Sequence, residues 1–129
     1  MKSLFFFLSF IAFSIDAEVN SWECGTFSGA SIVASDGTFL GKLGPSWMSD
    51  SVFNETSNYA QSWSSKGIFN TSSQHGNQYS NNSVFNESAS NPPKIITDDG
   101  KQIGKLSVGP SWDNSRFHPS DIKYTCNWD

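Results

Sequence analysis

Few residues in this chain have side chains that suit acid–base or metal chemistry. The two histidines are His75 and His118, and the two cysteines, Cys24 and Cys126, stand near opposite ends. A histidine close to a serine or an aspartate would suit a small secreted hydrolase, so this stays an alternative interpretation. The sequence contains no Gly-x-Ser-x-Gly nucleophile elbow. We therefore predict no catalytic residue, no cofactor and no metal site, and we lean towards a protein that is not an enzyme.

The acidic residues favour turns over catalysis. A carboxylate pair for glycoside hydrolysis would come from Asp98, Asp99, Asp113 and Asp121. Asp next to Gly or Asn is typical of turns, where the side chain binds nearby backbone N–H groups. Residues 98–100 lack the alternating oxygen ligands of a calcium loop, and no glycine-rich phosphate loop is present. We interpret these carboxylates as turn residues.

Polar and aromatic side chains in the middle of the chain suit binding better than catalysis. Four residues carry rings that could stack on sugars, namely Tyr59, Trp63, His75 and Tyr79. Three carry amides that could bond polar groups, namely Asn54, Asn70 and Asn86. We predict that they form a surface for a polar ligand such as a glycan, or for another envelope protein. The three asparagines have an alternative role, which is to satisfy backbone groups at turns or helix ends.

Three copies of one unit carry these candidates. A tetrapeptide of the form Ser/Gly-Val/Ile-Phe-Asn starts at residues 51, 67 and 83, which gives a period of 16 residues. Its phenylalanines, Phe53, Phe69 and Phe85, are expected to pack into the core. Adjacent apolar pairs separated by polar runs fit neither a long helix nor an alternating strand. We therefore predict three short helix or turn units over residues 51–98, with Ser51 and Ser83 as helix N-caps.

A second duplication flanks these units. Residues 36–47 and 99–112 both contain Asp-Gly, then Gly-Lys-Leu, then Gly-Pro-Ser-Trp. Asp-Gly between β-rich segments predicts a hairpin with a two-residue type I′ turn. Such turns would set four facing pairs, namely Val33–Leu40, Ile96–Ile103, Ile32–Gly41 and Ile95–Gly104. The two glycines leave space for a bulky side chain, which we expect to be a core aromatic such as a repeat phenylalanine.

The first residues have the form of a secretory signal peptide. Lys2 precedes an apolar run over residues 4–15, and the small residue Ala17 follows, so residues 1–17 would be removed and residues 18–129 exported. The apolar run is shorter than the roughly 20 residues of a membrane-spanning helix. We predict a secreted or periplasmic protein with no membrane insertion after signal cleavage.

The cysteines fit an oxidising compartment. A Cys24–Cys126 disulfide is the simplest interpretation, with free or intermolecular thiols as the alternative. The neighbouring sequences mirror each other, because Trp22 stands two residues before Cys24 and Trp128 two residues after Cys126. If the two ends pair as antiparallel strands, Trp22 would face Trp128 beside the disulfide.

Length and charge exclude some classes of protein. The exported part has about 112 residues, which is the size of one domain with a modest core. The formal net charge is −4 at pH 7, and no basic stripe is present, so nucleic-acid binding is disfavoured.

Three motifs together resemble a family of small exported bacterial proteins that is uncharacterised and has no known activity. They are Ile32-x-Ala34-x-Asp36-Gly37-x-x-Leu40-Gly41, the repeated Ser-Val-Phe-Asn, and Asn91-Pro92-Pro93-x-Ile95 leading into Gly100-x-x-Ile103-Gly104. The resemblance covers most of residues 18–129 and implies Ser-Ile/Val-x-Asn repeats between two Asp-Gly hairpins. It implies no catalytic or binding residue.

These observations predict an α+β fold, with an all-β fold as the alternative. We expect a small antiparallel sheet from two hairpins and the paired termini, with the three repeat units on one face. The function that fits best is non-catalytic binding in the periplasm or at the cell surface. A structural component of the envelope or matrix is a further alternative.

Overall fold

A computed structural model describes residues 19–110 and 112–128, so the predicted signal peptide lies outside the described residues. A short 3-10 helix, Ser21–Glu23, precedes helix α1, Cys24–Phe27. The strands are β1, Ser31–Val33, β2, Phe39–Lys42, β3, Lys94–Ile96, β4, Gln102–Leu106, and β5, Arg116–Phe117, and helix α2 spans Pro119–Cys126. One five-stranded sheet and two short helices make this a small α+β fold, as predicted. None of the helices in the described ranges has the length and apolar character to cross a membrane.

The duplicated hairpins form the centre of the sheet, whose strand order is β2-β1-β3-β4-β5. Strands β1 and β3 pair antiparallel, and Ile32 stands opposite Ile95. Ile95 is the counterpart of Ile32 in the second module, 63 positions later. The two hairpins are therefore related by a local twofold axis between these two isoleucines, both of which are fully buried.

Each hairpin loop has three residues, so the predicted type I′ turn is wrong. Ala34 N–H donates to Thr38 O at 2.8 Å, and Gly37 N–H donates to Ala34 O at 2.9 Å. Among the residues at the turn only the glycine has a positive φ, +91° at Gly37 and +87° at Gly100. This is the pattern of a hairpin in which glycine alone takes the left-handed position, while a type I′ turn would require it of Asp36 as well.

The extra loop residue shifts the register of both hairpins. Ile95 faces Gly104, as predicted, but a bulge follows and Ile96 faces Gln102 instead of Ile103. In the first hairpin Val33 faces Phe39 instead of Leu40. Ser31 faces Lys42, which is the register predicted for Ile32 and Gly41. Two-residue loop geometry therefore gave the right strands and the right register away from the loops, and it failed only for the pairs next to each loop, because a bulge changes the register within a single strand.

Aromatic side chains cover the two strand glycines, as expected, although neither is a repeat phenylalanine. A Cβ on Gly41, which has a φ of +106°, would lie 2.8 Å from Tyr59 Cβ. A Cβ on Gly104 would lie 2.6 Å from the ring of Phe117. Glycine at each position thus allows a ring to lie directly on the sheet.

Strand β5 runs parallel to β4, so the sheet is mixed and the prediction of a purely antiparallel sheet is wrong. The loop before β5 is held by Arg116, which donates from Nε to Asp113 Oδ2 and from Nη1 to Gly109 O, both at 2.8 Å. Hydrogen bonds from the Ser115 hydroxyl, which has the larger effect, and from Arg116 lower the pKa of Asp113 to about 2. These bonds place a short strand that carries no strong β pattern in the sequence.

Consecutive turns, not helices, form the segment between the hairpins. Asn54 N–H donates to Ser51 O, Ser57 N–H to Asn54 O, and Ala60 N–H to Ser57 O, at 2.9–3.2 Å. Each bond spans three residues, and the next bond starts at the residue where the previous one ended, so the bonds do not overlap as they would in a helix. The serines predicted as helix N-caps therefore stand at the start of single turns. The hydroxyl of Ser51 accepts from Phe53 N–H at 3.0 Å. Such side-chain bonds compete with the helical pattern.

The aliphatic member of each repeat tetrapeptide enters the core. Val52, Ile68 and Val84 are fully buried, in one cluster with strand residues such as Leu40 and Leu106. The following phenylalanines differ, because Phe53 is buried whereas Phe69 and Phe85 are only partly buried at the edge of the cluster. The prediction of three core rings therefore holds in full only for Phe53, whose ring lies 6.5 Å from that of Trp128.

The Cys24–Cys126 disulfide is present, with the two Cα atoms 5.6 Å apart. The predicted pairing of the termini as strands is wrong, since Cys24 begins α1 and Cys126 ends α2. Trp22 is exposed at 78% and Trp128 is buried at 7%, so the two rings have different surroundings. Asn127, in the left-handed conformation, ends α2 and turns Trp128 towards Phe53.

Loss of the disulfide is expected to destabilise the fold strongly. The bond closes a loop between cysteines 102 positions apart, and breaking such a loop is expected to lower the free energy of unfolding by about 2–4 kcal/mol. Urea denaturation of the wild type and the Cys24→Ser/Cys126→Ser variant measures the difference. Equal midpoints for the two proteins would contradict this assignment of stability to the disulfide.

Candidate functional site

Two depressions border the phenylalanines of the repeat units. The first, which we call the Tyr79 groove, has a volume of about 600 Å³ and is lined by Phe69, Thr71, Gly76, Asn77, Gln78, Tyr79 and Phe85. The second, which we call the Lys123 cavity, has a volume of about 290 Å³ and is lined by Val52, Phe53, Glu55, Ala60, Phe69, Pro119, Ser120 and Lys123. Both sizes lie near or within the range of about 300–1,000 Å³ that is usual for small-ligand sites.

Aromatic rings form one side of the Tyr79 groove. The rings of Phe69 and Phe85 lie 5.6 Å apart at an angle of 47°. The Tyr79 side chain is 83% exposed, and its backbone N–H donates to Asn77 Oδ1 at 2.7 Å. The groove therefore offers an exposed ring next to partly buried rings, with amide side chains beside them.

Close backbone packing shapes the floor of this groove at Gly76. A Cβ at this position would lie 2.4 Å from Asn70 O and 2.5 Å from Ile68 O, closer than any side chain tolerates. Glycine is therefore required here because of space and not because of its φ angle. The approach brings residues 76–79 beside the Phe69 turn.

The three candidate asparagines hold the turns together. Asn54, Asn70 and Asn86 each donate from Nδ2 to a carbonyl six residues earlier, at 2.8–3.0 Å. Each Oδ1 accepts the backbone N–H two residues later, at 2.9–3.0 Å. This is the turn role that the sequence allowed as an alternative. The nitrogen and the oxygen of each side-chain amide both have intramolecular partners.

The four candidate aromatic residues lie in different surroundings. Tyr79 is in the groove, and Trp63, 72% exposed, lines a separate shallow depression with Asn70 and Gln74. Tyr59 lies on Gly41 with its ring 5.3 Å from that of Phe39. His75 is 4% exposed. The structure therefore does not bring the four into one rim.

His75 is a buried imidazole without a side-chain partner. Its Nδ1 has no hydrogen bond among the described residues. Burial lowers the pKa of His75, and the nearby charge of Asp36, on the first hairpin loop, opposes this shift without reversing it. The ring is therefore held in its neutral form.

The remaining acid–base candidates serve the fold. His118 is the N-cap of α2, where its Nδ1 accepts from Ser120 N–H at 3.1 Å. Asp99 accepts from the Thr97 hydroxyl, and this bond lowers the pKa of Asp99. No group of three or more His, Cys, Asp or Glu side chains in the described part of the chain is arranged to hold a metal ion.

Sequence reasoning missed several surface residues. Exposed aromatic side chains outside the predicted set are Trp22, Trp47, Trp112 and Tyr124. Trp47 and Trp112 end the two copies of Gly-Pro-Ser-Trp, and that duplication was the available signal. Asn77 and Gln78 of the groove precede Tyr79 directly, but nothing in their types distinguishes them from other polar residues of the repeats.

Comparison with known proteins gave no relative: no family model matches this chain, and no curated protein or solved structure is significantly similar to it.

Removing an asparagine of the turn segment is expected to destabilise the protein. Asn70→Ala removes one of the two hydrogen bonds that Ser64 O accepts and leaves Ser72 N–H without its partner, which should lower the free energy of unfolding by about 1–3 kcal/mol. Ser73→Ala should have a smaller effect, since Ala89 stands at the same position of the third unit. Urea denaturation measures both, with exposed Ser72→Ala as the control. Unchanged stability in Asn70→Ala would contradict the structural role.

The stability of the protein should fall as the pH drops below 6.5, the ordinary pKa of histidine. Because the folded-state pKa of His75 is lowered, the unfolded state binds a proton first as the pH falls. The contribution of His75 to the free energy of unfolding is therefore fully present above pH 6.5 and is lost as the pH falls towards the folded-state pKa. His75→Asn should flatten this dependence between about pH 7 and pH 5. Thermal denaturation at several pH values measures the effect, and parallel curves for wild type and His75→Asn would contradict it.

Proposed function

We propose that this is an exported, non-catalytic binding protein of the periplasm or cell surface, and that it binds a neutral glycan through the Tyr79 groove. The observation that carries the proposal is the combination of the 83% exposed ring of Tyr79 with the Phe69–Phe85 pair and neighbouring amides. A sugar has apolar C–H faces and hydroxyl edges, so it suits a ring beside amide donors and acceptors. Sites of this composition combine apolar walls with a few polar groups that orient the ligand.

The charge of the groove favours a neutral ligand. Its lining contains a hydroxyl from Thr71 and amides from Asn77 and Gln78, and no ionisable acid or base except the Tyr79 phenol. A polyanion would also meet a protein with a net charge of −4. Hydroxyl-rich ligands fit this surface better than charged ones.

Export is part of the proposal and is supported by the disulfide, which is typical of oxidising compartments. The repeats are another part: turn bonds recur at equivalent positions of the first two units, for example Ser57 N–H to Asn54 O and Ser73 N–H to Asn70 O. We infer that the three units form one coil against the sheet and present Phe69 and Phe85 at its edge.

The positions of the histidines speak against the hydrolase alternative. The His75 ring is buried and its Nδ1 has no hydrogen-bond partner in the described part of the chain, His118 caps a helix, and neither residue lines the Tyr79 groove or the Lys123 cavity. No observation favours hydrolysis over binding.

A glycan array with the disulfide-bonded protein tests the proposal. We expect retention on neutral glycans, and a loss of about 5- to 30-fold in affinity for Tyr79→Ala, since one stacked ring contributes on the order of 1–2 kcal/mol. Tyr124→Ala, which removes an 87% exposed tyrosine of α2 outside the groove, is the matched control.

Retention that is equal in both tyrosine variants would overturn the groove assignment. No retention on any glycan would overturn the proposed ligand. A parallel pull-down from an envelope extract distinguishes the protein partner, and failure of both experiments would favour the structural envelope or matrix role.

A further inference from the structure

The Lys123 cavity is a second site, whose lining shares only Phe69 with the Tyr79 groove. Its floor is apolar, with Val52 fully buried and Phe53 6% exposed. Helix α2 forms the opposite wall through Pro119, Ser120 and Lys123. Residues 119 and 123 lie one turn apart on the same face of the helix, so both reach the same space.

Two opposite charges border this apolar floor without satisfying each other. Glu55 and Lys123 both line the cavity, but no ion pair joins them, and within the described ranges neither charged group has a hydrogen-bond partner. The Lys123 ammonium lies 5.7 Å from the centroid of the Phe53 ring, which holds it above the floor. A ligand that occupies the space between the two charges would meet an anion on one side and a cation on the other.

We propose that the Lys123 cavity binds a small zwitterion with an apolar side chain, such as a free aliphatic or aromatic amino acid. The ligand ammonium pairs with Glu55, its carboxylate pairs with Lys123, and its side chain lies on Phe53 and Phe69. The volume of about 290 Å³ is at the small end of ligand sites. A simple anion or a simple cation would leave one of the two charges unpaired, while a zwitterion satisfies both.

The position of α2 controls this site. His118 starts the helix by accepting from Ser120 N–H, and the disulfide of Cys126 fixes its other end to α1. Lys123 is thereby held over Phe53 by contacts that do not involve the ligand. A preformed position of this kind reduces the conformational entropy that binding must remove.

Calorimetric titration of the disulfide-bonded protein with leucine and phenylalanine tests the proposal. We expect saturable binding of both. N-acetyl-leucine lacks the ammonium and leucinamide lacks the carboxylate, so each should bind about tenfold more weakly than leucine. Glu55→Gln should weaken leucine by a similar factor and should not weaken N-acetyl-leucine further. Lys123→Met, which keeps the apolar stem, should show the same relation with leucinamide.

The repeats provide a matched control. Glu87 follows Asn86 as Glu55 follows Asn54, but it does not line the cavity. Glu87→Gln should therefore leave leucine binding unchanged, and so should Lys66→Met at an exposed lysine elsewhere in the repeats.

Three results would each overturn the proposal: no saturable binding of leucine or phenylalanine at millimolar concentration, equal effects of Glu55→Gln and Glu87→Gln, or N-acetyl-leucine binding as tightly as leucine. The outcome is independent of the proposed glycan function. Tyr79→Ala removes a groove residue that is not part of the cavity, and it should leave leucine binding intact.

Discussion

Satisfaction of backbone hydrogen bonds by serine and asparagine side chains is the interaction on which the rest of this structure depends. Residues 51–89 contain no helix, and among the described residues their one backbone hydrogen bond to a strand runs from Val52 N–H to Lys42 O. Buried N–H and C=O groups without partners would destabilise such a segment severely. Turn bonds every three residues, with Asn and Ser side chains bonding carbonyls and N–H groups between them, supply those partners. This regular arrangement is what places Val52, Ile68 and Val84 in the core.

Both candidate sites arise at the boundary of that segment. The phenylalanines after the buried aliphatic residues lie at its edge, and their different surroundings separate a cavity from a groove. Phe53 is covered by Trp128 and by the Lys123 side chain, which come from the C-terminal end. Phe69 and Phe85 instead contact each other and border the groove. The repeated phenylalanines thus line the cavity at Phe53, the groove at Phe85, and both at Phe69.

Most of the features that were predicted correctly depend on residues close together in the sequence. The two hairpins followed from residue types and spacing because Asp-Gly turns depend on short-range chemistry. The Ile95–Gly104 pair was correct for the same reason. The disulfide joins cysteines 102 positions apart, and it could be predicted because the sequence has only two cysteines. The type I′ turn was wrong since Asp36 keeps a negative φ, and the resulting bulges changed the partners of Val33 and Ile96. The predicted Trp22–Trp128 pair failed because both cysteines lie in helices, where residues two apart point in different directions.

Residue types and their order already specify the three units, the duplicated hairpins, the cross-link and the asparagines that bind backbone within a few positions. All of these features except the cross-link involve neighbours along the chain, so the chemistry of each residue is enough to infer them. The cross-link could be inferred because the sequence has only two cysteines. Only the folded chain determined the surroundings of three candidate residues. Phe53 packs near Trp128, Tyr59 lies on Gly41, and His75 lies near the charge of Asp36. The same holds for Glu55 and Lys123, which are 68 positions apart in sequence and share a cavity because α2 is tied down at both ends. Such contacts depend on which distant elements are brought together, and no local pattern of residues encodes that.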